Sequence, residues 1–166
     1  MRTRKWTFFV FVRLFNSRLK MNKIQLPNYT IEFIKQLIPQ REPIIMVDAI
    51  FEYEEGKVVG SLTVKNESIF VENNQLRESG ILEHMAQTVA LYTGYQFYIR
   101  NESAPTGYIG SMKSIEINRL PKVNENLTTT ATILHEVMGV TLVSIETKIE
   151  GEVIAKGEMK TVIAET

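Results

Sequence analysis

Apolar residues recur at Ile31, Phe33, Ile34, Leu37 and Ile38. That is helical spacing, and Thr30 stands where an N-cap belongs. Pro39 and Pro43 then break the chain. Residues 44–53 are rich in β-formers, Glu54-Glu55-Gly56 reads as a turn, and residues 57–64 read as a second strand, so the pair predicts a hairpin. The most informative stretch is residues 80–98. There Ile81, Leu82, Met85, Ala86, Val89, Ala90, Leu91 and Tyr92 cover nearly the whole circumference of a helix. A helix apolar all round belongs in a core rather than on a surface.

A polar loop at residues 101–105 leads to four predicted strands near residues 107–118, 127–137, 140–149 and 152–163. In the second of these, Leu127, Thr129, Ala131, Ile133, His135 and Val137 share one face. In the last, Glu152, Lys156, Glu158 and Lys160 oppose Val153, Ala155, Met159 and Thr161. Period-two alternation marks a sheet with one face in water. Met138-Gly139 and Glu150-Gly151 fall where tight hairpin turns are needed. The predicted class is α+β, an antiparallel sheet wrapped around a long central helix. One small sheet cannot cover all sides of that helix, which predicts a second subunit.

Charge changes the picture at the N-terminus. Six of the 19 Lys and Arg fall in residues 1–20, where there is no acid; from Met21 on, 13 basic residues face 19 acidic ones, a net −6. Residues 1–20 are read as an over-extended start or a disordered tail, and residues 21–166 as one domain. The apolar run from Trp6 to Val12 is too short to span a bilayer and is interrupted by Arg13, so no stable membrane insertion is expected. The acidic body argues against a nucleic-acid groove. With no cysteine there is no disulfide framework and no thiolate chemistry. The expected location is the cytoplasm.

Glu83 is the one titratable acid between Ile81 and Tyr98. A carboxyl group on a core helix suits general acid–base work. The plainer alternative is an acid facing a solvent gap in the first turn, favoured by the helix dipole. It is one residue too far from Ser79 for a capping box. Gly80 marks either a plain helix start or a place where free N–H groups stabilise an oxyanion. His84 and His135 are the two histidines. Successive helix residues point about 100° apart, so Glu83 and His84 do not both face one small site. His84 is weighed as a packed histidine against a catalytic one, and His135 reads as a satisfied core histidine. No metal site is expected from this pair, and no phosphate-binding or nucleophile-elbow motif is present.

Several segments resemble bacterial beta-hydroxyacyl-ACP dehydratases. Residues 38–48, Ile-Pro-Gln-Arg-Glu-Pro-Ile-Ile-Met-Val-Asp, resemble the family's P-H-R-x-P-F-L-L-V-D opening. Residues 66–70, Asn-Glu-Ser-Ile-Phe, resemble N-E-P-F-F, and residues 80–87, Gly-Ile-Leu-Glu-His-Met-Ala-Gln, resemble the P-G-V-L…E-A-M-A-Q helix. The resemblance implies a hotdog-fold dimer acting on thioesters of acyl carrier protein. It makes Glu83 the residue that handles the leaving hydroxyl; His84, beside it, stands as a second catalytic candidate on its position alone. It places Gly80, Ile81, Gln87 and Phe70 at the substrate, Gln87 helping to position the carboxylate. No soluble cofactor is implied; the phosphopantetheine arm arrives with the substrate. The segment after Phe70 departs from the family. Its histidine is missing, and Gln40 replaces the opening one. A shortened loop with the carboxylate helix retained resembles ApeP-type dehydratase-like proteins of aryl polyene gene clusters. That resemblance implies a homodimer or a heterodimer with a second hotdog subunit. A non-catalytic acyl-ACP-binding subunit and a hotdog thioesterase are the alternatives.

Overall fold

The computed structural model describes residues 24–164. The tail predicted at residues 1–20 lies outside the described residues. Helix α1 (Ile31–Leu37) starts after Thr30, as predicted. The Thr30 hydroxyl does not cap it; instead Asn28 Oδ1 accepts the Thr30 N–H at 2.9 Å. At the other end Arg41 donates to the carbonyls of Ile38, Gln40 and Lys35 at 2.7–3.0 Å. A cation there satisfies carbonyls that the helix leaves unpaired.

Strands β1 (Ala49–Glu54) and β2 (Lys57–Thr63) form the predicted hairpin around Gly56, whose φ is +82°. The first strand is shorter than expected: residues 44–48 are not in the ladder. Two short strands, β3 (Val71–Glu72) and β4 (Gln75–Leu76), pair across Asn73-Asn74, both with positive φ. Helix α2 (Glu78–Tyr98) follows. After it come β5 (Gly107–Ile117), β6 (Asn126–Val137), β7 (Val140–Ile149) and β8 (Glu152–Ile163). The six long strands form one antiparallel sheet in the order β1-β2-β6-β7-β8-β5. Met138-Gly139 and Glu150-Gly151 have positive φ at both turn positions, the geometry that matches strand twist in two-residue hairpins.

Helix α2 lies on one face of the sheet. A Cβ on Gly60 of β2 would sit 3.2 Å from Leu91 Cδ1 and Thr88 Oγ1, so the helix rests on that bare backbone. Buried helix positions Ile81, Met85, Leu91 and Tyr92 meet inward strand residues Val58, Leu127, Ala131, Val143 and Ile145 in a continuous core. The helix is not sealed all round. Leu82, Ala86, Ala90, Thr93 and Phe97 form a half-buried stripe at helical spacing.

Two bulges displace the predicted faces. In β6 the register slips between Ile133 and His135, and beyond it the hairpin outruns the helix. His135 is therefore exposed, which corrects its reading as a core histidine. In β8 the register slips opposite Thr147 and Lys148, and Ile154 and Ala155 are both fully buried. No helix among the described residues is long and apolar enough to cross a membrane.

Candidate active site

Residues 44–46 run between α1 and β1 with their backbone groups outside the sheet. A buried backbone needs partners for these groups, and Met46 is only 2% exposed. The partners come from α2. Gln87 Oε1 accepts the Met46 N–H at 2.7 Å, and Gln87 Nε2 donates to Ile44 O at 2.8 Å. His84 Nδ1 lies 2.6 Å from Met46 O. This is why residues 44–46 stay out of the sheet: helix side chains take bonds that a strand would have supplied, and the sheet resumes where Asp48 N–H donates to Ser61 O at 2.9 Å.

Gln87 has one more N–H, and it goes to Glu83 Oε1 at 2.7 Å. Glu83 and Gln87 are one helical turn apart, the spacing at which side chains meet. Every hydrogen-bonding group of the Gln87 amide except one carbonyl lone pair is thus engaged, which fixes its orientation. Glu83 is half-buried and stands beside the open stripe of Leu82 and Ala86. Its carboxylate is anchored through one oxygen and presents the other.

His84 turns away from Glu83, as the angular separation predicts. It is 0% exposed. Its Nε2 lies 2.8 Å from Thr129 Oγ1, which lies 2.7 Å from Thr147 Oγ1. A carbonyl accepts only, so Nδ1 carries the proton and Nε2 accepts from Thr129. Burial is the main cause that pushes its pKa down to about 4; the Met46 carbonyl, and then Asp48, oppose that shift. The ring is neutral near pH 7, and both nitrogens are occupied. That geometry argues against the expected catalytic part for His84.

The other expected residues divide in the same way. Gly80 is the third residue of α2, and its N–H donates to Arg77 O at 2.9 Å. The Gly80 N–H itself is thus engaged within the first turn. The unpaired N–H groups of this helix start are those of Glu78 and Ser79. Glycine at position 80 has a packing cause: a Cβ would lie 2.6 Å from Leu76 Cδ1 and 2.7 Å from Phe70 Cβ. Phe70 is half-buried and closes on the start of the helix. Ile81 is 0% exposed in the core and offers a ligand no surface in this chain. Glu83 and Gln87 are thus brought together, as are Gly80 and Phe70.

Sequence reasoning missed Met46, Thr129 and Thr147. For the two threonines the one legible signal was their place on the inward register of an apolar strand face. A cavity of about 480 Å³ lies between Tyr29 and Asn126, on the sheet face away from α2. Its polar atoms satisfy one another: Asp48 accepts from Ser61 Oγ at 2.8 Å and Thr63 N at 2.7 Å, and Thr63 Oγ1 donates to Asn126.

The sheet wrapped on a central helix defines a hotdog-fold protein. The family model described as ApeP dehydratase matches residues 32–165, and the chain belongs to this ApeP-like family. It is 27% identical over 135 residues to the 3-hydroxyacyl-[acyl-carrier-protein] dehydratase FabZ of Ruminiclostridium cellulolyticum, covering 76% of this chain and 92% of that one. The FabZ of Vibrio cholerae is 26% identical over 139 residues, covering 76% and 86%. Among solved structures, the dehydratase heterocomplex ApeI:P from Xenorhabdus doucetiae matches with a TM-score of 0.76 at 17% identity, covering 86% of this chain and 94% of that one. At that identity the match speaks for the fold.

Proposed function

We propose that this chain is the carboxylate-bearing subunit of a cytoplasmic dehydratase. Its substrate is a 3-hydroxyacyl group on acyl carrier protein, and its product the trans-2-enoyl thioester. The observation that carries the reading is Glu83, held at one oxygen by Gln87 at the edge of an uncovered apolar stripe. In the step, a base takes the C2 proton and the C2 electron pair forms the double bond. Glu83, as the carboxylic acid, gives its proton to the departing C3 hydroxyl, which leaves as water.

The base is not supplied by this chain's histidines. His84 has both nitrogens engaged, and His135 is exposed beyond the end of the helix. A histidine from a second hotdog subunit, seated along the stripe of α2, completes the site. The heteromeric assembly named for the ApeI:P structure supports a search for such a partner.

The test is turnover of a 3-hydroxyacyl-ACP, following the enoyl product, by the protein alone and with a co-purified hotdog partner. The expected result is no product alone, and product with the partner that Glu83→Ala abolishes. Product from the protein alone removes the need for the partner. Full turnover by the Glu83→Ala complex makes this a non-catalytic acyl-ACP-binding subunit. Free acid in place of the enoyl thioester makes the protein a thioesterase.

A further inference from the structure

The peptide groups around Met46 are held from two positions of α2. Gln87 takes the N–H of Met46 and the carbonyl of Ile44; His84 takes the carbonyl of Met46. Behind the ring, Thr129 on β6 and Thr147 on β7 continue the chain of hydrogen bonds into the middle of the sheet. The direction of that chain is set at its end. Because Met46 O can only accept, Thr147 donates to Thr129, Thr129 to Nε2, and Nδ1–H to Met46. His84, Thr129 and Thr147 are each 0% exposed, so no water competes for these bonds.

Gln87 is the shared member. One of its N–H groups reaches Glu83 only while the other reaches Ile44 and its oxygen meets Met46. If the segment 44–46 shifts, the amide must choose between the segment and the carboxylate. The His84 ring sets where that segment lies.

From this geometry we infer that His84 is a positioning residue for Glu83, acting through Met46 and Gln87, and not a carrier of protons. The inference rests on the reading of Glu83 as the reacting carboxylate. The neutral ring favoured by burial fits the role, since a charged ring could not accept from Thr129.

Two amide substitutions separate the possible roles. Asparagine places a donor near Nδ1 and keeps the bond to Met46. Glutamine reaches the place of Nε2 and keeps Thr129 but loses Met46. Neither carries a proton near neutral pH. The readouts are solvent exchange of the Gln87 side-chain amide protons, by NMR on 15N-glutamine-labelled protein, and kcat and KM with the hotdog partner present. His84→Asn is expected to keep the Gln87 protons protected and to retain most of the turnover. His84→Gln is expected to expose them and to lower kcat on the order of 10- to 100-fold with little change in KM, the scale of a misplaced reacting group.

Wild-type behaviour of His84→Gln in both readouts overturns the inference. So does an equal loss of turnover in both variants with the Gln87 protons still protected, which marks a proton carrier. Loss of protection in both variants assigns the effect to packing alone and also overturns it. Glu83→Gln, measured beside them, keeps the two ideas apart. Full turnover there sinks the reading of Glu83, while amide exchange still decides whether His84 holds the clamp.

Discussion

The two halves of α2 are fixed to the rest of the chain by different physics. The first half adds directional polar bonds to the core packing of Ile81 and Met85: Glu83, His84 and Gln87 engage one another or the backbone of residues 44–46. The second half uses aromatic packing. Tyr95 lies 4.6 Å from Tyr53 and edge-on to Phe33 at 6.4 Å, and Tyr98 meets Phe33 at 5.2 Å. Burial first, and then the neighbouring Tyr92, push the Tyr53 hydroxyl up to about 12, so it stays protonated and takes no part in proton transfer near pH 7. Hydrogen bonds fix where individual atoms lie, and weaken steeply when angles or distances drift. Ring contacts stabilise over a wider range of geometries. A site that must present one carboxylate oxygen is built at the first kind of end, and the helix is anchored by the second.

Breaking the polar end at its centre has the largest expected effect. Glu83→Gln keeps an oxygen for the Gln87 N–H but removes the acid, so turnover falls on the order of 10²- to 10⁴-fold. Urea unfolding shifts by less than about 0.5 kcal/mol, as for a half-exposed side chain. A variant that unfolds more easily by several times that amount contradicts a chemical role for this carboxylate. The next effect is read from pH. Burial holds the His84 pKa at about 4, below its value in the unfolded chain, so the unfolded state takes the proton first as pH falls. The stability due to the neutral ring is complete above about 6.5 and is lost as pH drops towards 4. Wild type should lose about 3 kcal/mol more than His84→Asn across that window, measured by chemical denaturation at each pH. Parallel curves for the two proteins rule out the buried neutral ring.

At the aromatic end the corresponding break is steric. A Cβ on Gly94 would run into the backbone carbonyl of Leu37, so Gly94→Ala pushes α1 off the helix. The cost is about 1–3 kcal/mol, seen as a lower denaturation midpoint. The folded fraction keeps its turnover, because Glu83 lies three turns away. A fall in turnover beyond the loss of folded protein would join the two ends into one unit.

The same contrast decides what could be read beforehand. Strands β7 and β8 have the predicted ends, because Met138-Gly139 and Glu150-Gly151 mark the turns that bound them. Glu83 and Gln87 were legible from a motif and a one-turn spacing. The strand predicted from residue 44 begins later because β-rich composition does not say that Gln87 and His84, some forty positions on, take the backbone bonds of Ile44 and Met46. His135 stands in the apolar register of the sequence but is exposed because both faces of the strand are uncovered from Leu134 to Met138, which the residue pattern does not reveal. The β3–β4 pair left a trace, Asn73-Asn74, residues that tolerate positive φ, but flanking strands of two residues are too short for any period to show.

The smallest effect tests a polar tie of the aromatic half. Tyr92 OH accepts the N–H of Gly56 at 3.1 Å, joining the helix to the β1–β2 turn. Tyr92→Phe keeps the ring that packs 5.5 Å from Tyr53 and removes just that bond. The Gly56 N–H is partly buried, and water can replace some of what is lost. The expected cost is therefore about 1 kcal/mol, with faster amide exchange at Gly56 and unchanged turnover. If aromatic packing alone held this end, the stability of Tyr92→Phe would equal that of wild type. A cost several times larger would mean that the turn, like the segment at Met46, is held by direction more than by packing, and the division between the two halves of the helix would dissolve.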